Sequence, residues 1–308
     1  MGILKFVVAA VLVIAVAAIG FVHLAPERFT ELMLHLDRRA AGLVRKEIDL
    51  PGGLHYVYLE GGKGEPLVLL HGFGGMKDNF ARVARFLTPR YRVIVPDEIG
   101  FAESSHPPDA DYGSQAQAER VHALAQALGI GRAHLGGNSM GGQIALAYAA
   151  RFPSEVASLW LLDPAGVWSA PKGELGRIAE ARERNPFFIE NEEDYVRLVR
   201  FVTSQMPYIP GPMLKVMAQD SIRHLELQKQ IFKTMFDDPI EPRVTGLTTP
   251  TLIVWGDRDR VFHFGTADVL HQLMPNSQVI VMPGVGHMPM LEKPRQSAED
   301  YLRWRSGK

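Results

Sequence analysis

The pentapeptide Gly137-Asn138-Ser139-Met140-Gly141 lies between a short apolar run, Ala133 to Gly137, and a stretch of helical character, Gly142 to Ala150. A G-x-S-x-G pattern at such a junction commits the chain to a tight strand-to-helix turn. Glycines on both sides accommodate the strain, and the serine hydroxyl stands exposed at a helix N-terminus, where a nucleophile is wanted. A serine before a helix is also an ordinary N-cap. Five residues do not decide between the two, but their neighbours along the chain do.

Upstream, Pro66 to Leu70 reads as a short buried strand running into His71-Gly72-Phe73-Gly74-Gly75, a turn bare enough to point backbone amides at a ligand. Downstream, the strand Thr251 to Trp255 ends in Gly256-Asp257-Arg258-Asp259, and the strand Gln278 to Met282 ends in Pro283-Gly284-Val285-Gly286-His287. A serine, an acid and a histidine thus each follow a separate strand, in that order. Further strands are expected near Leu54 to Leu59, Val93 to Pro96 and Val156 to Leu162, with helical patterns such as Phe80, Val83, Ala84, Leu87 and Ala118, Val121, Ala125, Leu128 between them. Alternating strands and helices imply a parallel sheet covered on both faces, with sites at the strands' carboxyl ends. Between Leu162 and Pro250 the alternation stops, and that length of helix and loop reads as a cap inserted over the site.

Phe6 to Val22 is an unbroken apolar run after Lys5, about 26 Å long as a helix and able to cross a thin bilayer. Ala15-Val16-Ala17 offers a signal-peptidase site, but the run outlasts a usual signal core, so an anchor is expected. After Pro26, apolar residues at Phe29, Leu32, Met33, Leu36, Ala40, Leu43 and Val44 keep helical spacing, with Arg38, Arg39, Arg45 and Lys46 on the polar face near the leaflet. The apolar stripe can face lipid, the domain or a second copy of itself. The expected organisation is a transmembrane segment 1–25, a juxtamembrane amphipathic helix 26–48, a core 49–164, a helical cap 165–247 and the rest of the core 248–308. With 308 residues, 46% hydrophobic, 22% charged and a net charge of −1, the chain has no electrostatic footprint for nucleic acid. It contains no Cys, and its 11 His residues show no metal-ligand spacing, so neither metal nor cofactor is expected.

From about Leu50 onward the four turns, in this order, resemble the α/β-hydrolases. With its N-terminal segment the chain is most similar to membrane-anchored bacterial lipases and phospholipases A of the PlaF type. The resemblance implies an α/β fold with a mostly parallel sheet flanked by helices, an inserted helical cap and an N-terminal transmembrane and juxtamembrane helix. It implies an ester hydrolase in which Ser139 attacks, His287 takes the proton, Asp259 orients the imidazole, and the backbone N–H groups of Phe73 and Met140 receive the oxyanion. Asp259 is preferred to Asp257 because it fills the fourth place of the family's G-x-x-D turn. His71 either braces the glycine turn or, with Gly72, Asn138, Met206, Tyr208, Ile209 and Met288, borders the substrate. The expected partners are a lipid or phospholipid substrate, its fatty-acid product, the bilayer, and a second copy through the N-terminal helices. The expected location is the bacterial inner membrane, single-pass, with the catalytic domain periplasmic. Two alternatives compete. Gly137 to Gly142 is similar to the elbow of meta-cleavage C–C bond hydrolases, although those tend to carry Trp where this chain has Met288, and an anchored fatty-acid-binding protein would need no chemistry at all.

Overall fold

Eight strands form one sheet in the order β1-β2-β4-β3-β5-β6-β7-β8. They are β1 (Leu43–Leu50), β2 (Leu54–Gly61), β3 (Glu65–Leu70), β4 (Tyr91–Pro96), β5 (Ala133–Asn138), β6 (Val156–Leu162), β7 (Thr251–Gly256) and β8 (Ser277–Met282). The computed structural model describes residues 2–205 and 208–307, without the side chains of 2, 3 and 12–18. From β4 across to β8 every pairing is parallel, and β1 and β2 are added antiparallel at one edge.

Two helices precede the sheet, α1 (Gly2–Leu24) and α2 (Pro26–Ala40). Within it, α3 (Ala81–Ala84), α4 (Ser114–Ala127) and α5 (Met140–Arg151) make the first crossovers. Among the described residues five helices separate β6 from β7: α6 (Glu174–Glu180), α7 (Glu192–Val202), α8 (Gly211–Arg223), α9 (Leu225–Phe236) and α10 (Glu241–Val244). The chain closes with α11 (Thr266–Leu273) before β8, then α12 (Pro289–Glu292) and α13 (Pro294–Arg305).

The core explains why the central strands read as continuous apolar runs. Along β3, Val68 and Leu70 join the cluster on one face with Ile94, Leu135 and Ile144, while Leu67 and Leu69 join the other with Val93, Trp160 and Val254. Both faces of the strand are covered, so alternation in space leaves no polar alternation in sequence. At about 1.5–3 kcal/mol for each fully buried large side chain, these layers supply most of the drive to fold. A third cluster, including Leu175, Phe187, Tyr195, Leu198 and Leu214, unites the helices inserted between β6 and β7 over the sheet's carboxyl edge.

The N-terminal region departs from the expected helix. α2 stops at Ala40, Gly42 takes the left-handed φ of 67°, and Leu43 and Val44 begin β1 instead. A glycine free to adopt that φ ends the helix where the periodicity alone would continue it. Arg45 and Lys46 accordingly lie on a strand, paired with Glu103 and Glu60, and Arg38 is buried rather than turned toward a leaflet. α2 packs on α8, leaving Leu32 and Leu36 exposed. Among the described residues no helix is long and apolar enough to cross a membrane. The apolar run expected as an anchor includes residues 12–18, whose side chains lie outside that description.

Candidate active site

β5 delivers its last residue to the middle of the sheet's carboxyl edge, and the chain turns there into α5 through Ser139. Ser139 has φ 54° and ψ −117°, a region that L-residues avoid unless the surroundings impose it. Its amide donates to the Leu162 carbonyl (3.1 Å), its carbonyl accepts from Ala165 and Gln143, and its side chain does not cap the helix. The flanking glycines are required by close approach, not by their own φ. A Cβ on Gly137 would strike the Gly141 carbonyl, and one on Gly141 would strike the carbonyl of Leu70.

Asp259 and His287 come from the turns after β7 and β8. The His287 Nδ1 lies 2.9 Å from Asp259 Oδ2, and both side chains are almost fully buried, at 3% and 0% exposure. Asp259 also accepts from Trp255 Nε1 and from the amides of Val261 and Phe262. With three further donors holding the carboxylate, the proton on the imidazole is directed to Nδ1, which leaves Nε2 as the basic nitrogen. That Nε2 is buried and has no hydrogen-bond partner among the described residues. Asp257 does different work, accepting the Gly284 amide (2.7 Å) and so lacing the β7 turn to the β8 turn. The His287 backbone is clamped from both sides, its amide on the Val202 carbonyl and its carbonyl on Asn138 Nδ2.

The turn after β3 is set by a buried histidine. His71 donates from Nδ1 to the Gly72 carbonyl (2.8 Å), while its Nε2 accepts the Glu98 amide (2.9 Å). Burial keeps it neutral, pushed down to about 4. His71 therefore braces the turn and does not border substrate, because both ring nitrogens are engaged in the backbone beneath it. The amides of Phe73 and Met140 donate to no acceptor among the described residues, and both residues border a cavity that Ser139 also lines.

Two apolar cavities meet at Ser139. One encloses about 710 Å³, mouth included, and is lined by Gly72, Phe73, Asn138, Ser139, Ile209, His287 and Met288 together with Phe187, Tyr195, Leu198, Val199, Val202 and Met217. The other, about 360 Å³, lies between Ser139, Met140 and Gln143 on the core side and Trp168, Phe232, Phe236 and Phe262 opposite. Gly72, Asn138, Ile209 and Met288 thus reach the cavity. Tyr208 does not: at 86% exposure it points into solvent just before Pro210 starts α8. Met206 lies outside the described residues. Tyr195, Leu198, Val199 and Val202 fall at helical spacing on α7, but periodicity does not separate a cap's own core from the cavity wall.

Several buried charges were not anticipated. Asp163, just past β6 with φ 46°, accepts the Gly256 amide, and burial together with the Asp259 charge raises it well above the usual carboxylate range. Glu98 is fully buried, neither of its carboxyl oxygens has a partner among the described residues, and burial, reinforced by the Asp97 charge, pushes it up to about 8. Lys77, 1% exposed, donates to Asp97 (2.9 Å) and to Glu103, and its amide donates to Asp97 as well. Burial pulls the ammonium down, but the surrounding carboxylates outweigh it and leave its proton more tightly held. Next to it, Asp78 takes a two-pronged contact from Arg38 of α2, at 2.6 and 3.0 Å.

Residues 65–294 match the family of the α/β hydrolase fold. Among curated proteins, Lipase 1 of Psychrobacter immobilis is 43% identical over 285 residues, covering 90% of this chain and 89% of that protein. Lipase 3 of Moraxella sp. (strain TA144) is likewise 43% identical over 286 residues, covering 90% of each. Among solved structures, a membrane phospholipase A described as a bacterial virulence factor superposes with a TM-score of 0.89 at 39% identity, covering 98% of both chains.

Proposed function

Because this chain belongs to the α/β-hydrolase family, we propose that it is a serine ester hydrolase that cleaves acyl esters of lipids, as a lipase or phospholipase A, from a membrane-bound position. One observation carries this: a serine held at positive φ shares an apolar cavity with a histidine whose Nδ1 is tied to a buried carboxylate.

In the reaction, Ser139 Oγ attacks the ester carbonyl carbon while His287 Nε2 takes its proton. The Phe73 and Met140 amides donate to the resulting oxyanion, each such donor being worth about 3 kcal/mol in the transition state. The imidazolium is stabilised by Asp259 and returns its proton to the departing alcohol. The acyl-enzyme then yields to a water activated by the same nitrogen, releasing fatty acid and free Ser139. Two apolar cavities that both reach the serine suit a substrate with apolar groups on both sides of its ester.

The membrane-bound position rests on α1, where Leu4, Phe6, Val7, Val8, Val11, Ile19, Phe21 and Leu24 are exposed together, a surface that water does not favour. The likeness to a membrane phospholipase A that extends over 98% of the chain supports the same placement. An inner-membrane anchor with the catalytic domain on the periplasmic side would hold the cavity mouth beside its substrate and raise the effective lipid concentration.

The test is fatty-acid release from phospholipid vesicles by the full chain, beside a series of p-nitrophenyl esters, with Ser139→Ala as control and a fluorophosphonate to label the serine. Release that Ser139→Ala abolishes is expected. Release no greater than that control, or labelling that persists in Ser139→Ala, defeats the proposal.

A further inference from the structure

His106, in the loop that follows β4, and Asp220 and His224, one turn apart at the end of α8, place two imidazoles and a carboxylate at one point of the seam between the core and the helices inserted above it. One ligand atom from each lies within 4.8 Å of the other two. None of the three lines either cavity at Ser139.

Three features of the cluster are unusual for a surface contact. The Nε2 of His106 is buried without a hydrogen-bond partner among the described residues, a state that costs free energy whether that nitrogen carries a proton or a lone pair. The His106 and His224 rings stack at 4.0 Å with 18° between their planes, which holds the two imidazoles side by side across the seam. Asp220 is already oriented by its own contacts, Oδ1 at 3.0 Å from His224 Nδ1 and Oδ2 accepting the Ala102 amide at 3.2 Å. The Ala102 contact ties the carboxylate to the same core loop that carries His106.

We propose that His106, Asp220 and His224 form a binding site for a divalent transition-metal ion of the zinc type, separate from the reaction centre, that joins α8 to the loop after β4. Two imidazole nitrogens and one carboxylate oxygen are the donor set of a three-ligand zinc site, with water completing the tetrahedron. Two imidazoles argue against calcium or magnesium, which take oxygen donors. In a tetrahedral site the donors stand about 3.3 Å apart, closer than the 4.8 Å within which the three now lie. His224 must leave the stack and turn its ring plane toward the metal, exchanging its hydrogen bond to Asp220 for coordination. The fourth position stays open to solvent, since Asp220 and His224 remain 31% and 24% exposed. Because Met217 of the same helix lines the larger cavity, an ion here would restrain one wall of that cavity against the sheet.

The test uses the untagged full chain in detergent micelles, stripped with chelator and titrated with Zn²⁺ by calorimetry and with Co²⁺ by visible absorption. A single equivalent of Zn²⁺ is expected, together with the intense visible bands of tetrahedral Co²⁺. His106→Gln, Asp220→Asn and His224→Gln should each weaken binding by about tenfold or more. Zn²⁺ at a concentration that just saturates the parent chain should raise its melting temperature by about 4 °C and slow amide exchange in α8, with both effects smaller in His224→Gln. Far-UV circular dichroism and the metal-free melting temperature separate loss of a ligand from loss of the fold. Absence of the equivalent, or its persistence in both His106→Gln and His224→Gln, overturns the proposal. So does an equivalent that survives His224→Gln but vanishes in His287→Asn, which would put the ion on the imidazole near Ser139.

Discussion

Glu98 should make this protein lose stability as the pH rises through neutrality, and a single substitution should remove the effect. The side chain is fully buried with both carboxyl oxygens unpartnered among the described residues, and burial followed by the Asp97 charge raises it from 4.5 to about 8. The unfolded chain ionises Glu98 freely above 4.5, while the folded chain keeps it protonated until about 8, so in that window the folded state binds the extra proton. A carboxyl group raised in this way contributes its full stability below 4.5 and loses it progressively up to about 8, beyond which the curve is level. At pH 7 the loss is about 3 kcal/mol. Gln has the same shape and no proton to lose, so Glu98→Gln should match the parent near pH 4.5 and exceed it by about 3 kcal/mol at pH 7, or about 6 °C in melting temperature. Urea denaturation of both chains at pH 5, 6, 7 and 8.5 measures the difference directly. Asp97, which burial raises to about 6, titrates in both chains and largely cancels. Parallel curves for the two chains from pH 5 to 8 would show that Glu98 is ionised in the fold, and the argument from burial would fail.

Other outcomes follow from the same geometry. Arg38→Met leaves the Asp78 carboxylate, only 4% exposed, without its main partner and should cost about 3–5 kcal/mol in urea denaturation; adding Asp78→Leu should recover much of it. Gly137→Ala drives a methyl into the Gly141 carbonyl and should lower the yield of folded chain and its melting temperature, whereas Gly129→Ala, strained only by its φ of 69° with open space around it, should cost about 1 kcal/mol. Asp259→Asn should lower kcat by about 10³–10⁴ with little change in KM, as an amide cannot hold the imidazole in the same tautomer. An equal change in KM instead would mean that Asp259 serves substrate binding.

The parts of the fold that local chemistry dictates could be read from the chain. The buried strands β3 to β7 and the apolar run of β8 lead into glycine-bearing turns, and the residues after β5, β7 and β8 bring Ser139, Asp259 and His287 to one edge of the sheet. β1 could not be read so, because as an edge strand it carries Arg45, Lys46, Glu47 and Asp49 on faces that need not be covered. Tyr208 and Met288 looked alike as large side chains near the site, yet only Met288 lines the cavity. Pro210 and Pro212 flank the start of α8, and nothing in the residues alone says which way Tyr208 faces. Glu98, Asp163, Lys77 and Arg38 were hidden for a different reason. Charged residues are mostly solvated, so their burial is a property of the assembled fold and leaves no periodic trace.

Those hidden charges connect the N-terminal helices to the candidate active site. Arg38 on α2 grips Asp78, and the adjoining Lys77 grips Asp97 at the end of β4. The next residue, Glu98, gives its amide to His71, and His71 holds the Gly72 carbonyl one residue before Phe73. Every link in this run is buried or partly buried, so water screens it weakly and its geometry is short of slack. A flexible tether would raise lipid concentration near the cavity without choosing which way the cavity faces. An anchor helix followed by α2, which Arg38 locks to the segment that shapes the turn bearing Phe73 and which packs on α8, would also fix the cavity's attitude. Under the proposed anchoring, the Arg38–Asp78 pair would help to set the position of the mouth over the bilayer, and the polar residues of α2 would bear on lipid turnover along with its apolar stripe.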